Sequence, residues 1–360
     1  MALIYIDGFD TYQTADLLKR WTDVQLTPTI GSGGRTGQAC QLGNSESISK
    51  GLPAVSAYIV GFAYKPQSFY SSSVVMCSFV GASFDQMMLC VLPTGALRAS
   101  VATANHRLAG VTEINSTALY TTGGGILSAD TWSYIEVRCL LSASVGEFEV
   151  RVNGVPVIET TDLSTRDTSW SDTNIYAIDI GGNTTSGGAS VAYVDDVYIC
   201  DTSGSVNNDF LGDVTVEAIF PQTDAVSPGS NADFTCSAAA DHGALVDESA
   251  TDFPDEDTTY VYSSTIGHID SYHYPDITPV SADIKGVQVN ICAKKSTTGT
   301  RTYKSVAKLA AGATTEGATA YAPSDTSYAY GCDIWEAKPG GGAWTVSDVN
   351  GAEFGVTVEA

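Results

Sequence analysis

The chain has 360 residues, of which 41 are acidic and 17 basic, so its formal net charge is −24. A surface this acidic repels phosphate backbones and anionic lipids, which excludes nucleic-acid binding and membrane attachment as main roles. The 43% of apolar residues excludes a disordered chain, and a length of 360 residues predicts two domains.

The sequence predicts neither a targeting signal nor a membrane span. The apolar run from Met1 to Ile6 stops at Asp7 and has no basic region before it, unlike a secretory signal. The longest apolar stretch, residues 55–64, is too short to cross a bilayer. We therefore expect a soluble protein that folds in a cytoplasm.

The predicted elements of the first 200 residues are nearly all strands. Residues 15–21 predict one or two helical turns. Beyond them, apolar and polar residues alternate with period two, as in a sheet with one wet face. Asn153-Gly154 predicts a tight hairpin. The predicted strands form a β-sandwich and span residues 58–64, 74–80, 87–92, 133–141, 147–153, 155–160, 175–180 and 191–200.

A polar, glycine-punctuated segment at residues 201–212 predicts a linker, which divides the chain into domains 1–205 and 206–360. The second domain is also predicted to be mostly β. It has one short helical turn, where Thr345 and Asp348 have the spacing of a capping box. Its predicted strands lie at residues 213–220, 232–237, 259–264, 287–293, 302–309, 328–335 and 354–358.

Four segments in order resemble the laminin-G-like, or concanavalin A-like, jelly-roll family. They are Tyr5-Ile6-Asp7-Gly8-Phe9-Asp10, the Gly34–Leu42 segment with its Gly-Arg-x-Gly start, residues 132–137 followed by 148–154, and residues 193–198. The resemblance implies a jelly-roll β-sandwich over residues 1–205, followed by a smaller β-sandwich-like domain. It implies little about activity, because this fold serves lectins, glycan-cleaving enzymes and structural modules.

A second resemblance concerns the C-terminal region. Residues 207–214, with the sequence NNDFLGDV, are similar to a segment of structural proteins of tailed bacteriophages. The same holds for residues 244–248, 257–261 and 344–356. The resemblance implies a virion protein that is assembled in the host cytoplasm and contacts capsid or tail proteins. It would be a head-decoration (cement) subunit or a component of the tail tip or fibre.

Paired carboxylates are the first candidate chemistry, because the resembled fold hosts glycan hydrolases with two catalytic acids. The acidic triad of those enzymes, in outline Glu-x-Asp-x-x-Glu, does not occur in this sequence. The nearest pattern is Glu147-x-Glu149 on one strand, and Arg151 and Arg138 predict a solvated charge ladder there. We therefore expect no enzymatic activity.

Two groups of acids are candidate cation sites. The acidic stretch of residues 241–257 is either a solvated loop or a calcium site with Asp255 and Asp257 as ligands. Asp195 and Asp196, with Asp201, either bind a cation or accept hydrogen bonds from backbone. We expect no cofactor, with structural calcium as the alternative.

Aromatic residues in polar segments are the remaining candidates for recognition. Trp170, Tyr272 and Tyr274 lie in loop-like sequence, where rings stack on sugars or anchor a protein contact. Packing in the core or at its rim is the alternative. The main hypothesis is a non-enzymatic structural protein on the exterior of a phage particle. The alternative is a carbohydrate-binding module for host-surface glycans, and a glycan hydrolase is less favoured.

Three further expectations concern assembly and redox state. Exterior virion subunits gather around symmetry axes, so we expect a closed homo-oligomer, with a trimer preferred. Residues after 214 carry 20 acidic and 7 basic side chains, which favours docking of residues 213–360 on a basic virion surface. The eight cysteines contain no C-x-x-C pair, and both buried thiols and later-formed disulfides remain open.

Overall fold

The computed structural model describes residues 2–69, 71–82, 84–102, 116–167, 171–181, 191–224, 232–238, 241–249, 253–278 and 281–359. The chain forms two compact units, unit 1 (Met1–Glu217) and unit 2 (Ala218–Ala360). This boundary lies twelve residues beyond the predicted one after residue 205, because the intervening segment packs on unit 1.

The described part of unit 1 contains fifteen strands. In chain order they are β1 Leu3–Asp7, β2 Asp23–Gln25, β3 Thr29–Ser32, β4 Gln38–Leu42, β5 Ser47–Val55, β6 Ala57–Pro66, β7 Val74–Val80, β8 Asp85–Val91, β9 Leu97–Ala102, β10 Ser116–Thr121, β11 Ser133–Leu140, β12 Gly146–Val152, β13 Val155–Leu163, β14 Ile175–Gly181 and β15 Ala192–Asp201.

These strands form two antiparallel sheets. Sheet A has the order β13-β12-β11-β6-β15-β4-β3, with β1 also paired to β15, and sheet B has the order β10-β9-β8-β7-β14-β5-β2. The inner faces pack on each other, as the edge-to-face contact of Phe79 and Phe148 at 6.1 Å between ring centroids shows. The predicted all-β class and the β-sandwich of the first region are confirmed.

The hairpin that joins β12 and β13 forms where it was predicted. Asn153 has φ +49° and Gly154 has φ +76°, the pair of positive values that a two-residue hairpin turn needs. The alternation is confirmed as well, since Val137 and Val150 are opposite each other and fully buried. Period-two patterning therefore predicted this part of the sandwich at residue level.

Asp7, at the end of β1, is a buried hydrogen-bond hub under one edge of sheet A. Its Oδ2 accepts hydrogen bonds from the Tyr5 hydroxyl (2.8 Å), the Tyr12 hydroxyl (2.7 Å) and the Trp21 indole (3.1 Å). Its Oδ1 accepts one from the backbone N–H of Phe9 at 3.0 Å. One carboxylate thus satisfies four donors and ties the first twenty residues to β1.

Unit 2 is built from short antiparallel sheets. Its described strands are β16 Thr223–Asp224, β17 Thr235–Cys236, β18 Val261–Tyr262, β19 Ile269–His273, β20 Val287–Ala293, β21 Tyr303–Lys308, β22 Thr315–Glu316, β23 Ala329–Trp335 and β24 Glu353–Val358. The largest sheet has the order β16-β19-β24-β21-β22, and β17-β18 and β20-β23 form two-stranded sheets. A core around Trp344 and Phe354 packs beneath them. The predicted strand at 213–220 does not form.

Helices are few and short. A 3₁₀ turn (Thr14–Asp16) leads into α1 (Leu17–Arg20), at the predicted helical position, and a second 3₁₀ turn spans Gly243–Leu245. α2 (Val346–Asn350) starts at the predicted capping box, with reciprocal hydrogen bonds between Thr345 and Asp348. Within the described ranges, no helix has the length and apolar character to cross a membrane.

All eight cysteines are free thiols in this structure. Five of them are buried, and burial raises the pKa of the Cys90 thiol to about 11. A thiol with so high a pKa is a poor nucleophile and behaves as a small apolar group. Buried thiols and disulfides were the two alternatives left open by the sequence, and these five cysteines have the arrangement expected of buried thiols.

Candidate functional site

The outer face of sheet A carries a segment that joins the end of the predicted linker to the start of the predicted 213–220 strand. Residues 209–216, here called the strap, lie across β11, β12 and β15. At one end Arg138 forms an ion pair with Asp209, and the Phe210 ring lies 4.7 Å from the Arg138 guanidinium and 4.1 Å from that of Arg151. The predicted ladder forms, with Arg151 Nε 2.8 Å from Glu149 Oε1, and Phe210 lies over part of it while Arg151 stays 32% exposed.

The middle of the strap is held through its backbone. The N–H of Leu211 donates to the Tyr198 hydroxyl at 3.1 Å, and the N–H of Gly212 donates to Glu136 Oε1 at 2.8 Å. The same Glu136 oxygen accepts the Tyr198 hydroxyl at 2.6 Å. Gly61 makes room for this arrangement, because a Cβ there would lie 2.0 Å from the Tyr198 ring.

Arg35 anchors the far end of the strap. Its Nη2 lies 2.8 Å from Asp213 Oδ1, and its Nη1 lies 3.1 Å from both Asp196 Oδ2 and the Val214 carbonyl oxygen. Asp196 also accepts the N–H of Val216 at 2.7 Å. These contacts make residues 209–216 part of unit 1, so the last residues of the predicted 201–212 linker pack on the sandwich and the unit boundary lies after Glu217.

The Gly-Arg-x-Gly segment wraps around two further buried carboxylates. The N–H of Gln38 donates to Asp10 Oδ1 at 2.7 Å, and the N–H of Arg35 donates to Asp195 Oδ2 at 2.8 Å. Gly37 has φ +65°, and a Cβ there would lie 2.2 Å from Asp10 Oδ1. The glycine is therefore required by both conformation and space. The interpretation of Asp195 and Asp196 as acceptors of backbone hydrogen bonds is confirmed.

Burial changes the protonation of this carboxylate cluster. Desolvation, with a smaller contribution from the charge of Asp196, raises the pKa of Asp195 to about 8. Desolvation likewise raises the pKa of Asp10 to about 6, against the opposing effect of its hydrogen bond from Gln38. At neutral pH the folded state therefore holds a proton on Asp195, which an unfolded chain releases near the ordinary Asp pKa of 3.8.

Asp195→Asn is expected to flatten the pH dependence of stability. The native carboxyl favours folding at low pH, and this contribution is lost as the pH rises from about 4 to about 8. One such proton changes the free energy of unfolding by about 1.4 kcal/mol per pH unit. Urea unfolding at pH 5, 6 and 7 measures the slope. Asp201→Asn, in the same strand, controls for removal of a charge, and an unchanged slope in Asp195→Asn would contradict the prediction.

The strap leaves the other end of the outer face open, where side chains from four strands form one row with Trp132, which comes just before a fifth. Tyr193 in β15 is opposite Lys65 in β6 on one side and Gln41 in β4 on the other. Gln41 is in turn opposite Thr29 in β3. Trp132 directly precedes β11, whose pairing with β6 ends at Ser133 and Tyr64. We call these residues the aromatic row: Trp132, Lys65, Tyr193, Gln41 and Thr29.

The aromatic row is partly exposed and internally organised. Lys65 Nζ lies 5.1 Å from the Trp132 ring centroid and 4.7 Å from that of Tyr193. Gln67 Nε2 donates to the Tyr193 hydroxyl at 3.0 Å. Since neighbouring strands are about 4.8 Å apart, five strands give a row about 19 Å long. The row offers ring faces, an ammonium group and amide and hydroxyl groups along one line.

A small apolar recess lies at the edge of the sandwich, between the two sheets. Pro66 and Ala192 line it together with Phe69, Leu92 and Val191. Successive residues of a strand point to opposite faces of a sheet, so Pro66 and Ala192 face away from Lys65 and Tyr193. The aromatic row, without the recess, is therefore the best candidate site in the described part of unit 1.

The aromatic residues singled out from the sequence lie elsewhere. Trp170 is outside the described residues. Tyr272 lies in β19 and is only 5% exposed, with its hydroxyl donating to Asp270 Oδ2 at 2.7 Å. Tyr274 packs edge to face on Phe354, 5.8 Å between ring centroids. The placement of Tyr272 and Tyr274 in exposed loops is therefore corrected to core packing, which was the stated alternative.

The two candidate calcium ligands make protein contacts instead. Asp255 Oδ1 accepts the N–H and the hydroxyl of Thr259, both at 2.9 Å. Both oxygens of Asp257 lie 2.7 Å from Lys294 Nζ, and this hydrogen bond lowers the pKa of Asp257. Across the described ranges, no group of three or more His, Cys, Asp or Glu side chains has the arrangement of a metal site.

Comparison with known proteins leaves the family open. No family model and no curated protein matches the chain. Among solved structures, alginate lyase Aly36B is 13% identical, with a TM-score of 0.37 over 54% of this chain and 95% of the lyase. A sialidase is 14% identical, with a TM-score of 0.37 over 55% of this chain and 18% of its own.

A botulinum neurotoxin type C, whose cell entry depends on two ganglioside molecules, is 11% identical. Its TM-score is 0.34 over 49% of this chain and 41% of the toxin chain. With TM-scores below 0.4, these likenesses carry nothing about what this chain binds. That conclusion has to come from its own side chains.

Proposed function

We propose that this chain binds glycans through the aromatic row and does not cleave them. The observation that carries the proposal is the placement of Trp132 and Tyr193 on either side of Lys65, in line with Gln41 and Thr29. A sugar presents C–H faces that pack on aromatic rings and hydroxyls that pair with amides, alcohols and ammonium groups. A line of such groups about 19 Å long suits an extended oligosaccharide.

Preorganisation supports the row as a binding surface. Lys65 sits between both rings, and Gln67 holds the Tyr193 hydroxyl, so the rings are oriented before any ligand arrives. Ordering these side chains in advance reduces the entropy that binding has to overcome. The net charge of −24 disfavours highly anionic polysaccharides, so neutral glycans are the proposed ligands.

Binding without cleavage is part of the proposal. Hydrolysis of a glycosidic bond needs two carboxyl groups that flank the bond. None of the five residues of the aromatic row is acidic. The nearby carboxylates of Glu136 and Asp196 accept hydrogen bonds from the strap, which occupies that part of the face.

Trp132→Ala and Tyr193→Ala are each expected to weaken binding of a neutral oligosaccharide at least tenfold, because each removes a stacking face. A neutral-glycan array selects the ligand, and calorimetry measures the dissociation constant. Tyr193→Phe keeps the ring and should retain most of the affinity. Tyr120→Ala and Tyr176→Ala remove tyrosines of sheet B that are 44% and 37% exposed. Both variants should leave the dissociation constant unchanged.

Three results would contradict this proposal. In the first, no neutral glycan on the array binds. In the second, the row variants have the urea midpoint of the native chain and bind as tightly. The third concerns cleavage: the bound oligosaccharide should be recovered intact by chromatography. Release of shorter sugars that stops in Glu147→Gln would show an enzyme.

For the setting of this activity, we propose the exterior of a tailed-phage particle. Support comes from the resemblance of residues 207–214 and of the C-terminal segments to phage structural proteins. A glycan-binding surface on such a particle would serve attachment to the host. Mass spectrometry of purified particles tests this setting. Detection of the chain in the particles would support it, and absence of the chain from them would contradict it.

A further inference from the structure

Unit 2 exposes two neighbouring tyrosine rings whose backbone is fixed by hydrogen bonds. Tyr262 is 52% exposed and Tyr260 is 37% exposed, and their ring centroids lie 5.9 Å apart with a 52° angle between planes. The Tyr260 carbonyl accepts the N–H of Ser237 at 2.9 Å, and the Tyr260 N–H donates to the Ser237 hydroxyl at 3.0 Å. The sheet of β17 and β18 therefore fixes where both rings stand while leaving their surfaces in solvent.

Another tyrosine of unit 2 already has a cation packed on its ring. Lys294 Nζ lies 4.7 Å from the ring centroid of Tyr328 while it pairs with Asp257. The Tyr328 hydroxyl donates to the same carboxylate at 3.1 Å. A cation is thus bound between a tyrosine face and a carboxylate only three residues from Tyr260. In the described part of the chain, no lysine or arginine lies over Tyr260 or Tyr262.

The charge of unit 2 favours a basic partner. Residues 218–360 carry 19 acidic and 7 basic side chains. Five of the seven basic residues pair with carboxylates, and a surplus of twelve acidic side chains remains; the five are Lys285, Lys294, Lys304, Lys308 and Lys338. Asp255 and Glu256, which precede the tyrosine pair, are exposed. The surroundings of the rings therefore attract positive charge.

We propose that the tyrosine pair Tyr260–Tyr262, with the exposed side chains of Asp255 and Glu256, docks an arginine- or lysine-bearing segment of another protein. The negative field brings the basic segment to the surface, and a guanidinium or ammonium group then rests on a tyrosine face. Because Arg combines a flat cation with strong stacking, arginine is the preferred residue. This docking is independent of glycan binding, since it uses residues of unit 2 alone.

The test uses the full chain and a fluorescein-labelled peptide of alternating arginine and serine, followed by fluorescence anisotropy at 150 mM NaCl. Replacing both Tyr260 and Tyr262 by alanine leaves the net charge unchanged and should weaken binding at least tenfold. Replacing both by phenylalanine keeps the rings and should retain binding within about twofold, since the ring face supplies the attraction. Tyr120→Ala removes an exposed tyrosine of unit 1 and should bind as the native chain does.

A further variant, Thr235→Lys, keeps both rings and places a cation opposite Tyr262 across the β17–β18 pair. It should weaken peptide binding by repulsion, and it guards against a folding defect in the alanine variant. Equal affinity of the native and alanine chains would show attraction by net charge alone and would overturn the proposal. Failure of the native chain to bind the peptide, or loss of neutral-glycan binding in the alanine variant, would overturn it as well.

Discussion

Arg35→Met should destabilise unit 1 by about 3 kcal/mol and release the strap. Arg35 pairs with Asp196, which is fully buried, and with Asp213, and it donates to the Val214 carbonyl. Removing one partner of a buried ion pair leaves the other charge uncompensated, which costs about 3–5 kcal/mol. We take the lower end of this range because Arg35 itself is 24% exposed. Urea unfolding followed by tryptophan fluorescence measures the loss.

Release of the strap has a separate readout. Limited proteolysis should cut Arg35→Met within residues 209–216 under conditions in which the native chain stays intact. Arg166→Met is the matched control, because the Arg166 guanidinium donates to the Asp167 carbonyl and forms no ion pair with any described residue. Equal stability of the two variants, or an uncut strap in Arg35→Met, would show that Arg35 does not anchor the strap.

Asp7→Ala should destabilise unit 1 by about 4 kcal/mol, the largest effect expected of a single substitution here. The Asp7 carboxylate accepts hydrogen bonds from Tyr5, Tyr12, Trp21 and the Phe9 backbone, all buried. Each buried donor that loses its acceptor costs about 1–3 kcal/mol. Because Trp21 stacks on Phe9 with 6.1 Å between ring centroids, the near-ultraviolet circular dichroism should change together with the urea midpoint.

Asp7→Asn is the informative companion variant. The amide oxygen can still accept the three hydrogen bonds that Oδ2 receives, whereas the NH₂ group in place of Oδ1 cannot accept the Phe9 N–H. This variant should therefore lose stability, but less than Asp7→Ala. Asp23→Ala, at an exposed position in β2, removes the same charge and should stay within about 0.5 kcal/mol of the native chain. If Asp7→Ala matched Asp23→Ala, the hub would have no structural role.

Local patterning accounts for the parts of the fold that the sequence predicted. The alternation around Val137 and Val150, the Asn153-Gly154 turn and the Thr345–Asp348 capping box depend on residues close together in sequence, and all three form as expected. The 213–220 segment was mispredicted as a strand. Its apolar residues alternate with polar ones, as in a strand. The Val214 carbonyl, however, accepts a hydrogen bond from Arg35, and the Val216 N–H donates to Asp196, so these groups do not pair with a neighbouring strand.

The candidate site depended on information that local patterning does not contain. Trp132 and Tyr193 lie within the segments that resemble the jelly-roll family. In the sequence, however, they indicated only the fold and not a binding site. Their proximity depends on β6, which joins β11 and β15 although it precedes both by more than sixty residues. Tyr272 and Tyr274 show the opposite error, since polar neighbours in sequence suggested a loop. The β19–β24 pairing buries Tyr272, and Tyr274 packs on Phe354 of β24.

The strap has a consequence for how the two halves of this protein can be separated or exchanged. A fragment that ends at residue 205 loses the eight residues that cover Glu136, Tyr198 and Arg138, and it would present this charged, aromatic surface to other molecules. A fragment that ends after Glu217 keeps the strap, which covers this surface. Any exchange of the C-terminal half for another domain, in the laboratory or in evolution, is therefore expected to succeed when the join follows residue 217 and to yield aggregation-prone products when it precedes residue 209.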